Sequence, residues 1–528
     1  MAKPAIAVAP ARKGEDWAKD CQERLGKARE RKQYIVQDLM EGYFFTNPRR
    51  SREVQSQYSY NRKTVPDDVA ELQTTVGMDC SQDFAGLVIN TFMPANFPWV
   101  KRGQSALPDE LWDQIKDQVE KDDKLVLSTI RSSNFDAVAY QGFEPDLSIG
   151  VVALWIDEGR LHKQPTCRAI PLRKLEIDLG PDGEIGPRFV VEQVMGRDLA
   201  ANLGTLAAKI PDKIAAKAKN QPTQQMELTR GLWRNWDNMG TEEWYYVVTV
   251  EKTFVHYETL VGEGSCPCVV TPWSPNPDSP WGDGPALKAL PYLRVLDTLS
   301  GLVQDRADQA GSPSFSYPND GVINFEGGIQ SGTAYPHAAG TLKDEFIPLY
   351  FEGDVNTTLI TWADLEKAVR RLWFVDRPEQ QGKTPPTASQ WLDEVVEMQK
   401  RIGLVGQRFW RDGPMAYFNR FKFILQSQGK IAKLPDAAGT LEPYNPAVKG
   451  QEWQEVQTAV RLLEIVQTFG GLQAQALLNA PETFAKIKKK LGDEIVVFND
   501  AAQLKELLEK LIPQGDINVA TNTAGRTQ

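Results

Sequence analysis

Gly382-Lys383-Thr384 has the form of the last three residues of a phosphate-binding loop, where backbone N–H groups and a lysine cradle the phosphates of a nucleotide. The spacing speaks against it. The first glycine of such a loop should stand at position 377, which is Arg377, and a helical pattern rather than a strand precedes it. Pro385 and Pro386 then remove two amide donors where a phosphate cradle needs them. Cys266-Pro-Cys268 is the only close cysteine pair and lacks the second pair that a zinc site requires. His162, His256 and His337 are scattered, with no second ligand at helical or hairpin spacing, and read as structural or surface residues. Neither a GxSxG nucleophile elbow nor an HExxH pair is present. Gly282-Asp283-Gly284-Pro285 reads as a hinge followed by a helix start with proline in the first turn, not as a functional glycine loop. The expectation is a protein without catalysis, metal or cofactor.

The bulk properties narrow the class further. The 528 residues allow several folding units, and a net charge of −10 argues against a basic nucleic-acid clamp without excluding a protein that DNA slides past. Five cysteines, at 21, 80, 167, 266 and 268, are odd in number and irregular in spacing, which fits reduced thiols. The best apolar run, Ala85 to Val100, is interrupted by Asn90, Pro94, Asn96 and Pro98 and cannot span a bilayer. The first residues and Gly515 to Gln528 read as tails.

The elements that would position any site follow from periodicity. Residues 14–45 and 66–93 read as helices, the second opening after Pro66-Asp67-Asp68 and stopping at Pro94. Another helix is expected from Pro108 to about Ser132. From Ser148 to about Leu260 short β-branched and aromatic runs alternate with turns such as Pro181-Asp-Gly183, with a helical insert near 198–220. A proline-rich joint, Pro267 to Pro285, leads into a long helix from about Leu287 to Ala310, which Pro291 should kink or start. Residues 311–355 read as turns and small strands, and a second helix spans about Thr361 to Phe374, with Thr361 and Asp364 in capping spacing. A polar break at 376–386 precedes a third helix carrying Trp391, Val395, Met398, Ile402, Val405 and Phe409, a seam that must be buried along its length. After a linker from Leu434 to Gly450, residues 451–511 read as a separate helical unit; Trp391 and Trp453 read as core or subunit-contact residues.

Several of these blocks, in this order, resemble the portal, or head-to-tail connector, proteins of short-tailed double-stranded DNA bacteriophages. The resemblance rests on Asp79-Cys80 through Leu87-Val88-Ile89-Asn90 to Pro94-Ala-Asn-Phe-Pro-Trp99, on Ser133-Asn134-Phe135 and on Asp146-Leu-Ser-Ile-Gly150. It continues with Asp182-Gly-Glu-Ile185 and Arg188, and is strongest at Thr271-Pro-Trp273, Trp281-Gly-Asp-Gly-Pro-Ala286, Leu290-Pro291 and Leu296-Asp297. The commoner family form of that tract is Tyr-Gly-Arg-Gly-Pro, from which Trp281 and Asp283 depart. The match covers most of residues 15–430.

The resemblance implies an α+β portal-type fold assembled as a dodecameric ring. A helical and β-rich wing would span 1–284 and 387–434, stem helices 285–310 and 357–375, a β/turn clip 311–356, a channel loop 376–386, a helical crown 435–514 and a tail 515–528. It also implies a place at one capsid vertex of the virion, after assembly in the host cytoplasm, and a channel for genome packaging and ejection. The implied partners are double-stranded DNA bound without sequence preference, the terminase or packaging motor, a tail adaptor, and the scaffolding and major capsid proteins, with no membrane. Arg377, Gln380, Gln381 and Lys383 in the loop, then Arg370 and Arg371 near the end of the second stem helix, are the candidate DNA-facing residues. A tight basic bore would bind every phosphate and make each step of translocation costly, whereas a few cationic rings centre a duplex without gripping it. The alternatives are solvated loop charges and helix-end charges for these residues, and an ATP-using packaging motor subunit or a soluble scaffold unrelated to DNA for the whole.

Overall fold

The computed structural model describes residues 13–50, 72–95, 98–104, 108–159, 164–238, 240–311, 355–376 and 408–432, with short stretches at 314–319, 334–338, 347–349 and 440–443 and single positions at 402 and 406. The chain divides into two compact units, 1–447 and 448–528, and all described residues belong to the first. The helical unit expected at 451–511, Trp391, Val395, Met398 and Val405 of the seam, and His162 lie outside them.

The first unit is α+β. Its largest sheet is antiparallel, with β4 (Leu175–Leu179), β5 (Ile185–Met195), β6 (Gln225–Arg234), β7 (Glu243–Val250) and β8 (Thr253–Val261) side by side in chain order. The period-two alternation of these strands sorts their apolar residues to two faces. Phe189, Val191, Trp233 and Val247 meet helix α1 (Gly14–Gln33), which presents Trp17, Cys21, Leu25 and Ala28 at helical spacing. Trp17 stacks on Tyr257 with ring centroids 4.1 Å apart. Val190 and Leu232, on the other face, join the main core. The connection from β5 to β6 holds the expected helical insert, α6 (Gly196–Leu203) and α7 (Asp212–Asn220), whose Leu199, Leu203 and Ile214 form a satellite core with Met226, Leu228 and Val250. The hairpin joining β4 to β5 turns at Gly183, whose φ of +76° suits glycine.

A second, three-stranded sheet sets β2 (Val151–Glu158) between β3 (Pro165–Ile170) and β9 (Cys268–Pro272), both antiparallel to it. Every residue of β2 from Val151 to Ile156 is buried, since helices pack around it. The helices of this core are α2 (Val36–Thr46), α3 (Val76–Phe92), α4 (Asp109–Ser132), α5 (Phe135–Gly142) and α10 (Ala416–Ser427), of which α5 and α10 lie against β2. The two long helices are α8 (Pro285–Gly311) and α9 (Val355–Leu372). Between them in the chain a small sheet sets β10 (Ser314–Asn319) between a parallel β11 (Ala334–Ala338) and an antiparallel β12 (Ile347–Leu349).

Several boundaries differ from the periodicity reading. The helix expected from 14 to 45 is two, divided at Tyr34-Ile35. The helix expected to open near Pro66 is helical, among described residues, only from Val76, because Gln73 and Thr74 give their N–H groups to Asp297 instead of to a helix. The second long helix starts at Val355, so Thr361 lies inside it and is no cap. The proline-rich joint holds a buried strand, β9, where the prolines suggested only a connection. The linker region supplies β13 (Thr440–Pro443), which pairs antiparallel with β1 (Val100–Gly103) and so belongs with the first unit. The end of the apolar seam is satisfied within the chain: Ile402 and Phe409 are buried, and the Phe409 ring meets Phe92, Phe143 and Trp273.

Candidate functional site

Pro285 opens α8 at the position where a missing N–H costs nothing, and Pro291 removes the N–H that would bond the Leu287 carbonyl. The start of α8 is held by backbone. Gly284 N–H donates to the Ile149 carbonyl (2.8 Å), Ala286 N–H to the Ser148 carbonyl (2.9 Å) and Trp273 N–H to the Gly150 carbonyl (2.8 Å). A side chain at Gly284 would lie 2.2 Å from the Ile149 carbonyl carbon, so the close approach demands glycine. Further along, Arg294 forms a two-pronged pair with Glu41, and Asp297 Oδ1 accepts the N–H groups of Gln73 (2.8 Å) and Thr74 (3.1 Å). Leu293 and Leu296 are buried, while Trp362 of α9 donates its indole N–H to Ser300 Oγ (2.9 Å) and ties the two long helices together.

The opposite face of α8 carries apolar residues in the open. Tyr292, Val295 and Leu302 are 42%, 49% and 50% exposed, at spacings of three and seven, with half-buried Leu299 between them. These are the a and d spacings of a helix seam.

Helix α9 ends in a tight backbone lock. Val375 N–H donates to the Arg370 carbonyl (3.0 Å) and Phe374 N–H to the Arg371 carbonyl (3.2 Å), the two bonds of a Schellman cap. Glycine is usual at the left-handed position, but here it is Phe374, at φ +60°. Trp373 is fully buried, and the Phe374 ring packs edge-on to Trp273 with centroids 6.2 Å apart, which holds the strained residue in place.

The two candidate arginines that are described supply the carbonyls of this lock, and their side chains differ. Arg370 is half-buried and bonds Glu366 one turn back (2.8 Å), in the electrostatic reach of Cys80 and Asp79 of α3. Arg371, one residue on, is exposed. Arg377, Gln380, Gln381 and Lys383, and with them Gly382-Lys383-Thr384, lie outside the described residues.

No group of three or more His, Cys, Asp or Glu side chains able to hold a metal occurs among the described residues. All five cysteines are free and buried. Burial pushes the thiols of Cys21, Cys80, Cys167 and Cys268 up to about 12, and that of Cys266 upward, which keeps them protonated and unreactive. A cavity of about 260 Å³ between the β4–β5 hairpin and the start of α10 includes Cys266, Arg188 and Asn419 in its lining. Arg408 and Arg411 both bond Glu184 at its edge. His256, read as structural, contacts Lys209 and Glu258 on the large sheet.

The buried charges that fix this frame had no local signature. Lys32, 1% exposed, donates to the carbonyls of Leu172 and Leu175 (2.7 Å each) and pairs with Glu176. Arg420 donates to the carbonyls of Ile156 (2.9 Å) and Ser265 (2.7 Å). On amphipathic helices such residues look like solvated charges, and only the folded backbone shows which carbonyls they serve.

The described fold is thus α+β, with two long helices that flank a small sheet in the chain. A family model of bacteriophage head to tail connecting proteins matches residues 18–495, and the chain belongs to that family. It is a component of the phage particle that links head and tail, as the sequence resemblance implied. No curated protein matches the chain. Among the described residues no helix is long and apolar enough to cross a membrane.

Proposed function

We propose that this connector is the portal of its virion: a closed ring, dodecameric by resemblance, at one capsid vertex, through which the genome is packaged and ejected. The two long helices form the stem, the small sheet between them the clip that meets first the packaging motor and later a tail adaptor, and the wing seats against scaffolding and capsid proteins. The ring has no catalysis of its own; ATP is used by a separate motor protein. The observation that carries this reading is the exposed row of Tyr292, Val295 and Leu302 on a helix whose other face is already packed. A row at seam spacing needs a cover, and in a head-to-tail ring each copy covers the next. The net charge of −10 suits a bore that does not grip DNA. In this reading Arg371, Arg377 and Lys383, repeated around the ring, centre the duplex by weak, screened contacts, with Gln380 and Gln381 beside them.

Electron microscopy of the purified protein tests assembly: rings with an open bore are expected, and Val295→Asp with Leu302→Asp should leave monomers of native circular dichroism. A wild-type protein that stays monomeric at all concentrations overturns the reading. Replacing both Arg377 and Lys383 by Ala should leave assembly and motor docking intact and impair retention of packaged DNA in a salt-dependent way. Wild-type retention at every salt concentration would remove these two residues from the channel.

A further inference from the structure

We propose that Asp146 is a pH-sensitive latch on the joint from which the long helix Pro285–Gly311 starts: its neutral carboxyl keeps the joint closed, and its ionisation loosens it. This goes beyond the portal reading and does not depend on it.

Asp146 sits in a π-helical turn, Phe143–Leu147, and is 1% exposed. Its Oδ1 accepts the hydroxyl of Tyr43 from α2 (2.6 Å), while Oδ2 is buried and has no hydrogen-bond partner among the described residues. The same turn builds the joint. The Asp146 carbonyl accepts the N–H groups of Ile149 and Gly150, both at 3.2 Å. Ser148, Ile149 and Gly150 in turn offer the three carbonyls that hold Ala286, Gly284 and Trp273. Ser81 of α3 clasps the turn from outside, bonding the Glu144 carbonyl and Ser148 Oγ. The carboxyl therefore lies one peptide segment from the backbone contacts that fix the start of α8.

A neutral carboxyl with one unmatched oxygen is tolerable in a core; a carboxylate there needs a donor or a cation at that oxygen. The charged and titratable groups facing it are Tyr43 on α2, Arg50 just beyond it, Arg173 in the turn before β4, and Glu144 in its own turn. Burial outweighs the two arginines and the Tyr43 bond and raises the carboxyl to about 7. Ionisation favours any state that admits water or an arginine to Oδ2, and such a state must part the turn from its neighbours. The latch thus closes on the acid side of neutrality and opens on the alkaline side.

Hydrogen exchange of the full-length protein tests this, with rates corrected for intrinsic pH dependence. Between about pH 5.5 and about pH 8.5, amide protection across residues 284–296 should fall about tenfold or more in the wild type, with its midpoint near the carboxyl's titration. Asp146→Asn, which cannot ionise, should keep high protection throughout. Tyr43→Phe removes a bond that favours the charged form and should move the midpoint to higher pH. A wild type whose protection does not change with pH, an unaltered pH response in Asp146→Asn, or an unmoved midpoint in Tyr43→Phe would each overturn the proposal. Should Asp146→Asn not fold, the Tyr43→Phe midpoint and infrared titration of the buried carboxyl in the wild type still decide it.

Discussion

Lys32 and Glu192 show two ways in which one side chain can hold this fold together. Lys32 is enclosed, and burial pulls its pKa down even though Glu176 works the other way. Its worth lies in matching two carbonyls and one carboxylate that would otherwise be stranded in the core. Lys32→Met should cost about 3–5 kcal/mol, as for removal of one partner of a buried pair, read from denaturant midpoints. The double variant Lys32→Met with Glu176→Leu should recover part of that loss. Glu192 differs. Burial pushes its carboxyl up, but Arg168, Arg230 and Lys174 push harder in the other direction, and the net displacement is downward from 4.5. A carboxylate held low in the folded state contributes stability that is present above its unfolded value and lost as pH falls through the folded one. Urea midpoints of the wild type should therefore decline on acidification below about pH 4.5, the ordinary carboxyl range. In Glu192→Gln the protein should be less stable at neutral pH, and its acid-side decline shallower. An unchanged acid slope in the variant would assign the decline to other carboxyls.

At the scale of elements, what periodicity revealed and what it hid have separate causes. The long helices, the helical insert between β5 and β6, and the turn at Gly183 were legible because apolar spacing and turn residues are local signals. The onset of α3 at Val76 was not, because Gln73 and Thr74 are held by Asp297, which is distant in sequence. Thr361 looked like a cap only because Asp364 follows it at the right distance; the true start is Val355, where the local signal is the single cap-type residue Asp354 before it. β13 was read as linker because four residues alone carry no period, and its partner Val100–Gly103 lies far upstream. Of the candidate site, only Arg370 and Arg371 fall on described residues, and the sequence could not distinguish them: one is tied to Glu366, the other exposed. The cap between them and the loop invites a measurement. Phe374 pays for its left-handed backbone by packing on Trp273. Phe374→Ala should destabilise the protein because it keeps the strain and loses the ring. Phe374→Gly should be more stable than Phe374→Ala by about 1 kcal/mol, since glycine tolerates that φ. Thermal unfolding of the pair measures the difference, and equal stability would mean that the backbone relaxes on loss of the ring.

For the whole molecule, the five buried thiols serve as a built-in report on global opening. No disulfide constrains the chain, and each cysteine lies in the interior of the first unit. A thiol reagent should label none of them at an appreciable rate under native conditions. All five should become reactive together across the unfolding transition of that unit, because Cys21, Cys80, Cys167, Cys266 and Cys268 span its helices and sheets. Labelling in native buffer of one cysteine alone would reveal a locally opening segment there.

The bond from Arg420 to the Ile156 carbonyl closes a separation of 264 residues. Since a ribosome adds residues in order at ~5–20 per second, β2 must wait roughly 13–53 s for the side chain that completes its surroundings. During that time the nascent chain carries an unfinished core. The exposed face of α8 is made well before α10, yet the unit that orients it cannot close until α10 has been synthesised. The clock of translation therefore places completion of this unit after most of the chain exists, and sets a built-in delay between making the exposed apolar row of α8 and presenting it on a finished body.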